Sequence, residues 1–351
     1  MKKNIIGLTL AMIIMTSFFA GECVKVNSAE TAELRLLTKM QMVESDGNVV
    51  VLADIEYDES GNMIKGIWHE ENGRFSQWSE YEYDSSGNEI KETFYYHDGS
   101  LIRWSESGYD EFGNKIKETS YDDDGSVRGQ IKYEYDEFGN ETRSIYYNGD
   151  GSLKEVSEYE YDEFGNQIKM ICHESDGSIS FWRLSEYDAS GNLIKITRYA
   201  SGSSLGVWWE EREYDVSGNK IKGTQYNQDG SIRYWTEYEY DVSGNQIKYT
   251  WGGMGGQVYG WREYEYDASG NLLKKISYTP RGNRDDWMEY EYDSTGNLTK
   301  ERHYLSRGRL EGETEYDMFG REIRSTHYDL NGNCYYEIQW EYITIIPKSD
   351  E

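Results

Sequence analysis

The sequence predicts an all-β protein: tandem antiparallel β-hairpins with a period of about 26 residues, strung into a long twisted or curled meander or superhelical sheet. Three observations lead there. Tyr-Asp-x-x-Gly recurs eleven times, with its glycine at Gly61, Gly87, Gly113, Gly139, Gly165, Gly191, Gly218, Gly244, Gly270, Gly296 and Gly320, spaced by 26 except for one step of 27 and a last step of 24. A second glycine series interleaves with it, from Gly47 and Gly73 through Gly230 and Gly256 to Gly332, irregular only near Ser201 to Leu205. Between the glycines lie short segments rich in Tyr, Trp, Ile and Thr, which favour strands, without the sustained 3.6-residue periodicity of helices.

Both glycine series read as turns. Asp-x-x-Gly, as in Asp162-Glu163-Phe164-Gly165, suits a type I turn closed by a left-handed residue in a G1 bulge. The aspartate accepts local backbone N–H bonds, and glycine takes positive φ without a Cβ clash. Asn227-Gln228-Asp229-Gly230 is an example of the second type. Each unit is then two antiparallel strands, and the chain holds roughly 22 to 24 of them. A flat sheet of that size conflicts with strand twist, so it should coil or curl.

The organisation follows. Residues 1–29 read as a signal peptide, 30–46 as an N-terminal capping strand, 47–332 as about eleven hairpin repeats, and 333–351 as a C-terminal capping strand and tail. Leu34, Leu36, Met40 and Met42 alternate on the first cap, and Ile338, Trp340, Tyr342 and Ile346 on the last. Lys2 and Lys3 precede an uncharged apolar run, Ile5 to Ala20, too short to span a bilayer comfortably. Cleavage after Ala29 is preferred over lipid anchoring at Cys23, because Glu22 departs from the lipoprotein pattern. The expected location is secreted or cell-surface. Cys172 and Cys334 are read as separate thiols.

Composition narrows the function. The net charge of −29 excludes phosphate-backbone binding and disfavours anionic lipid. A basic column, Lys65 to Arg324, recurs in every unit, and a standard hairpin register would place it on the tyrosine face, opposite Trp and Glu. The tryptophan column Trp78, Trp104, Trp182, Trp209, Trp235, Trp261 and Trp287 has two readings. It is a packing ladder between hairpins, or a candidate row of carbohydrate platforms flanked by carboxylates. Packing is the commoner use of a column at a fixed position.

The unit Tyr159-Glu160-Tyr161-Asp162-Glu163-Phe164-Gly165-Asn166-Gln167-Ile168-Lys169 resembles the YD repeat of the RHS family of bacterial surface and wall-associated proteins and toxin shells. The resemblance covers residues 46 to about 340 and departs from the family in its longer period and in Gly-Asn where Gly-Arg is usual; only Gly320-Arg321 matches. It implies an extracellular β-repeat with a binding or scaffolding role.

Catalytic and metal motifs are not found. His69, His97, His173, His303 and His327 read as exposed turn residues without metal spacing, and the turn aspartates are explained by turn capping rather than calcium. Gly252-Gly253-Met254-Gly255-Gly256 is a lengthened turn, not a phosphate loop. No cofactor and no metal are expected. The expected function is an exported, non-enzymatic binding or adhesion module for a cell-wall or host glycan or a secreted protein partner. The alternative is a structural scaffold or shielding shell for another secreted protein, with no small-molecule ligand.

Overall fold

The computed structural model describes residues 34–70, 75–201 and 206–345. The expected signal peptide, residues 1–29, and Ile346 lie outside the described residues. The protein is all-β, with 24 strands among the described residues, numbered in chain order and assigned to an antiparallel sheet. Two compact units divide the described residues, one up to residue 102 together with 336–345 and the other within 103–335.

The turns form as their chemistry dictates. In Asp162–Asn166 the Asp162 N–H donates to the Asn166 carbonyl (3.0 Å) and the Gly165 N–H to the Asp162 carbonyl (3.1 Å). Gly165 sits at φ 82°, a region closed to most side chains. Asp162 Oδ1 accepts the backbone N–H groups of Phe164 and Asn166, and Oδ2 accepts the Asn166 side-chain amide. The asparagine after glycine is therefore the second half of the turn. At Gly320-Arg321 the arginine takes over that role, donating Nε and Nη2 to Asp317 Oδ2.

These bonds hold the turn carboxylates below their usual range: at Asp162 the Asn166 amide leads, and at Asp229 the Ser231 hydroxyl. A depressed folded pKa gives stability that is present above the unfolded value, near 4, and is lost as pH falls through the folded value. Burial pushes Tyr57 and Tyr83 up to about 12, so their contribution is complete below pH 10 and lost as pH rises through that value. The melting temperature should thus hold a plateau between these limits and fall on both sides. Circular dichroism melts from pH 2 to 12 would show it. A melting temperature that keeps rising below pH 4 would mean that relief of charge repulsion outweighs the turn bonds.

In the second unit, β14 (Val207–Tyr214), β15 (Lys220–Tyr226), β16 (Ile232–Tyr240) and β17 (Gln246–Gly253) show the pattern. Tyr240 pairs with Gln246, but Glu239 pairs with Lys248. Ile247 is an extra residue, a second bulge just after the turn. That slip moves the basic column to the other face, because directly paired residues share a face. The expectation that Lys shares a face with Tyr is corrected: Lys stands with Trp and Glu. Lys222 lies between Glu213 and Glu237, and Lys248 between Glu239 and Glu263. The resulting pairs, such as Lys248–Glu239 at 3.4 Å and Lys169–Glu160 at 2.6 Å, are partly exposed. Each contributes about 0–1 kcal/mol, but together they relieve the acidic columns.

The other face carries the tyrosines of the signature. Tyr240 donates its hydroxyl to the Lys220 carbonyl (2.9 Å), at the start of the preceding hairpin strand. The same bond, reaching back 20 or 21 residues, is made by Tyr57, Tyr83, Tyr135, Tyr161, Tyr187, Tyr214, Tyr266 and Tyr292. Each is worth about 1 kcal/mol and ties one repeat to the one before it.

The first unit holds the aliphatic core. β1 (Leu34–Glu44) pairs on one edge with β2 (Val49–Tyr57) and on the other with β24 (Cys334–Ile345). The two terminal strands, expected as separate caps, are partners. Met40, Met42, Val50, Leu52, Ala53 and Ile338 form the buried cluster, with Trp68, Tyr336 and Trp340 packed against it. The expected alternation breaks at Thr38, where the register slips: Leu37 pairs with Tyr342 and Lys39 with Glu341. Leu37 thereby joins the face of Met40 and Trp340, and Leu36, paired with Ile343, lies on the opposite one.

Candidate functional site

The tryptophan column lies on the Lys/Glu face. In six of its seven positions the ring stacks on the tyrosine directly across the next ladder: Trp78 on Tyr95, Trp104 on Tyr121, Trp182 on Tyr199, Trp209 on Tyr226, Trp261 on Tyr278 and Trp287 on Tyr304. Centroid separations run from 4.0 Å (Trp78–Tyr95) to 6.1 Å (Trp182–Tyr199). On the opposite side the register pairs Trp287 with Ile276 and Trp261 with Thr250 of the preceding strand. Lys65 Nζ sits 4.6 Å from the Trp78 ring centroid, a cation–π contact. Trp235 differs: its cross-strand partner is Gly252, where a Cβ would come within 2.5 Å of the ring. All seven rings are half-buried.

The histidines depart from expectation. Only His97 is exposed in a turn; the other four are half-buried on strands. His69 and His173 stand where other repeats carry the stacking tyrosine, and His303 and His327 lie one residue before it. His69 Nε2 approaches Asp54 at 3.5 Å, and His303 Nδ1 meets Glu311 at 2.8 Å. Cys172 is buried and Cys334 exposed, and the two are not joined to each other. Burial pushes the Cys172 thiol up, and its sulfur lies 3.3 Å from Ser157 Oγ. Among the described residues no group of three or more His, Cys, Asp or Glu is placed to hold a metal ion. No helix among them is long and apolar enough to cross a membrane.

Two depressions open on the second unit. One, of about 320 Å³, includes Glu301, His303, Glu311, Ser325 and His327. Ser325 Oγ is 3.3 Å from His327 Nε2, and burial lowers the His327 pKa. Here Glu311 is bound to His303, and the Ser325 hydroxyl is also engaged by Thr314 Oγ1 at 3.2 Å. The other depression, of about 550 Å³, is lined by Tyr278, Gly282, Arg284, Trp287, Arg307 and Gly308. Of the tryptophan column it takes in Trp287. Its arginines were missed by sequence reasoning, although a signal exists for one: the second turn type usually reads Asp-Gly, and at Arg307-Gly308 it reads Arg-Gly, whereas Arg284 follows the other such turn, Arg281-Gly282, by two residues.

Residues 210–251 match the family model described as a protein of unknown function, DUF2963. That stretch runs from β14 through β17 and contains two Tyr-Asp-x-x-Gly-Asn turns with one turn of the second type between them. No curated protein matches the chain. Among solved structures it is similar to TcdB2-TccC3 without its hypervariable C-terminal region, at 13% identity and a TM-score of 0.34, over 90% of this chain and 24% of that one. It is also similar to the Photorhabdus luminescens Tc holotoxin pore, at 12% identity and a TM-score of 0.28, over 86% and 21% of the two chains. A porin-like protein from Bacteroides uniformis aligns at 12% identity and a TM-score of 0.27, over 88% and 98%. The chain spans about a quarter of the length of the first of these. Likenesses of this strength leave function to the geometry.

Proposed function

We propose that the protein is an exported, non-catalytic β-repeat scaffold of the YD-repeat type, acting outside the cell or at its surface against a secreted protein partner. The observation that carries this reading is the use made of the repeated residues. The signature Asp closes its own turn, the signature Tyr bonds the previous repeat, Glu and Lys neutralise each other, and six Trp rings are covered by Tyr. Chemistry spent this way builds a surface and leaves no reactive group in common between repeats.

A second reading, a glycan-binding adhesion module, is favoured by the half-exposure of the seven rings along one face. One set of measurements separates the two. Mass spectrometry of the material outside the producing cells should find an N-terminus at Glu30, and cross-linking there should recover a discrete protein partner. A glycan array should show no neutral-sugar binding that depends on the column. If Trp261→Tyr abolishes saturable glycan binding with the melting temperature unchanged, the scaffold reading gives way to the adhesion reading. A protein found only inside the cell would overturn both.

A further inference from the structure

We propose that the two Arg-Gly turns and Trp287 form a binding site for an acidic polysaccharide, one whose pyranose rings carry carboxylate or sulfate groups. The proposal goes beyond the scaffold reading and does not depend on the rest of the tryptophan column.

The arginines stand where the turns themselves call for something else. In the second turn type the residue before glycine is aspartate at Asp46, Asp98, Asp124, Asp150, Asp176 and Asp229. That aspartate has a structural role, since Asp229 Oδ1 accepts the Ser231 N–H at 2.9 Å and the Ser231 hydroxyl at 2.6 Å. Arginine has no acceptor and cannot fill that role. In the turn holding Arg281, Thr279 Oγ1 supplies a longer substitute bond, 3.3 Å, to the Asn283 N–H. In the other turn the backbone changes, and Arg307 adopts φ 72°. It is the one non-glycine residue with positive φ among the described residues, whereas the corresponding Met254–Gly256 turn has Gly255 there, at φ 69°. Turn formation therefore does not explain Arg281 or Arg307; of these Arg307 lines the depression, and Arg284, two residues after Gly282, is its second arginine. Strained positions of this kind mark functional segments.

The two turns flank one depression. Arg284 and Arg307 are both exposed and line it, with Trp287 and Tyr278 as its aromatic wall. Arg284 Cζ lies 5.0 Å from the Trp287 ring centroid, a contact that holds the guanidinium in place. Trp287 is backed by Tyr304 at 4.9 Å and nearly parallel to it, so the wall is rigid. Glu289, two residues on, is already engaged by Lys274 Nζ at 2.8 Å and by Trp287 Nε1 at 3.1 Å. Gly308 keeps the rim low: a Cβ there would come 3.5 Å from Trp287 Cη2, and its φ of 82° disfavours any side chain.

Guanidinium groups pair carboxylate or sulfate through two parallel N–H bonds, and the half-exposed Trp287 and Tyr278 rings, Trp287 lying between Tyr304 and Arg284, give the C–H groups of a sugar an apolar contact. Both features side by side favour an acidic sugar over an acidic peptide, which would use the charges alone. The net charge of −29 repels any polyanion at long range, but at physiological salt screening over about 8 Å confines that repulsion and leaves the local contacts in force.

Isothermal titration of the full chain at physiological salt with oligogalacturonate, a sulfated heparin oligosaccharide, methyl-esterified oligogalacturonate and poly-glutamate is the test. Saturable binding of at least one of the two anionic sugars is expected, with the ester and the peptide weaker. Arg284→Gln and Arg307→Gly should each weaken it about ten-fold or more, the usual cost of a charged hydrogen bond. Arg307→Gly relaxes the strained backbone, so its melting temperature should hold or rise, which separates lost binding from lost folding. The proposal is overturned if neither anionic sugar binds, if the ester or poly-glutamate binds as well, or if both arginine variants bind like the parent. None of these outcomes bears on export or on a protein partner.

Discussion

Ile338→Asp should destabilise the first unit by about 4–5 kcal/mol, enough to unfold a marginal domain. Ile338 is 6% exposed in the cluster with Met40, Met42, Val50 and Leu52. It pairs directly with Met42, which on its other edge pairs with Val50. A carboxylate there would sit among thioether and aliphatic side chains, edged by the Trp68, Tyr336 and Trp340 rings, with no cation in the cluster to pair with it. Ile338→Val, which removes one methylene, should cost only about 1 kcal/mol. Urea denaturation followed by tryptophan fluorescence would read both, since Trp68 and Trp340 pack on the cluster. A loss below about 1 kcal/mol for the aspartate variant would mean that this cluster does not hold the terminal strands together.

The second large effect is expected at Trp261. Trp261→Ala should cost about 2–3 kcal/mol, less than a fully buried tryptophan because the ring is half-exposed. Part of the loss is the stack on Tyr278 at 5.2 Å, and part is the Nε1–H bond to Glu263 at 3.1 Å. In a repeat protein each unit is stabilised mainly by its neighbours. The damage should therefore appear locally, as faster amide exchange in β17 through β19 (Leu272–Tyr278), before it appears in the global melt. Trp261→Phe should recover part of the loss. Equal exchange rates in parent and Ala variant would show that the column bears no packing role.

What the sequence revealed was what depends on near neighbours. Gly165 needs positive φ and Asp162 caps its own turn, both within five residues, so the turns and the strand count could be read off. The faces could not. The bulge at Ile247 lies between two residues with ordinary strand propensity and moves Lys248 beside Glu239. Nor could the pairing of β1 with β24, which depends on contacts about 300 residues apart, such as Thr38 Oγ1 to the Glu341 carbonyl. The meaning of Gly-Asn became visible only when Arg321 was seen donating to Asp317 as Asn166 donates to Asp162. The stacking partner of six of the seven tryptophans was written in the sequence, 17 residues later, but only the observed register turns that spacing into contact.

The pairing of the first strand with the last has a consequence in time. Each hairpin can zip as soon as its own residues are available, because its contacts are local. β1 is synthesised early, and one of its two edges has no partner until β24 has been made, some 300 residues later. Throughout that interval Met40 and Met42 lie on an open strand edge, the kind that recruits other chains. Synthesis of β24 is thus the slow checkpoint. Interrupted synthesis would leave a product whose hairpins are sound but whose first strand is adhesive, a natural substrate for chaperone capture or aggregation.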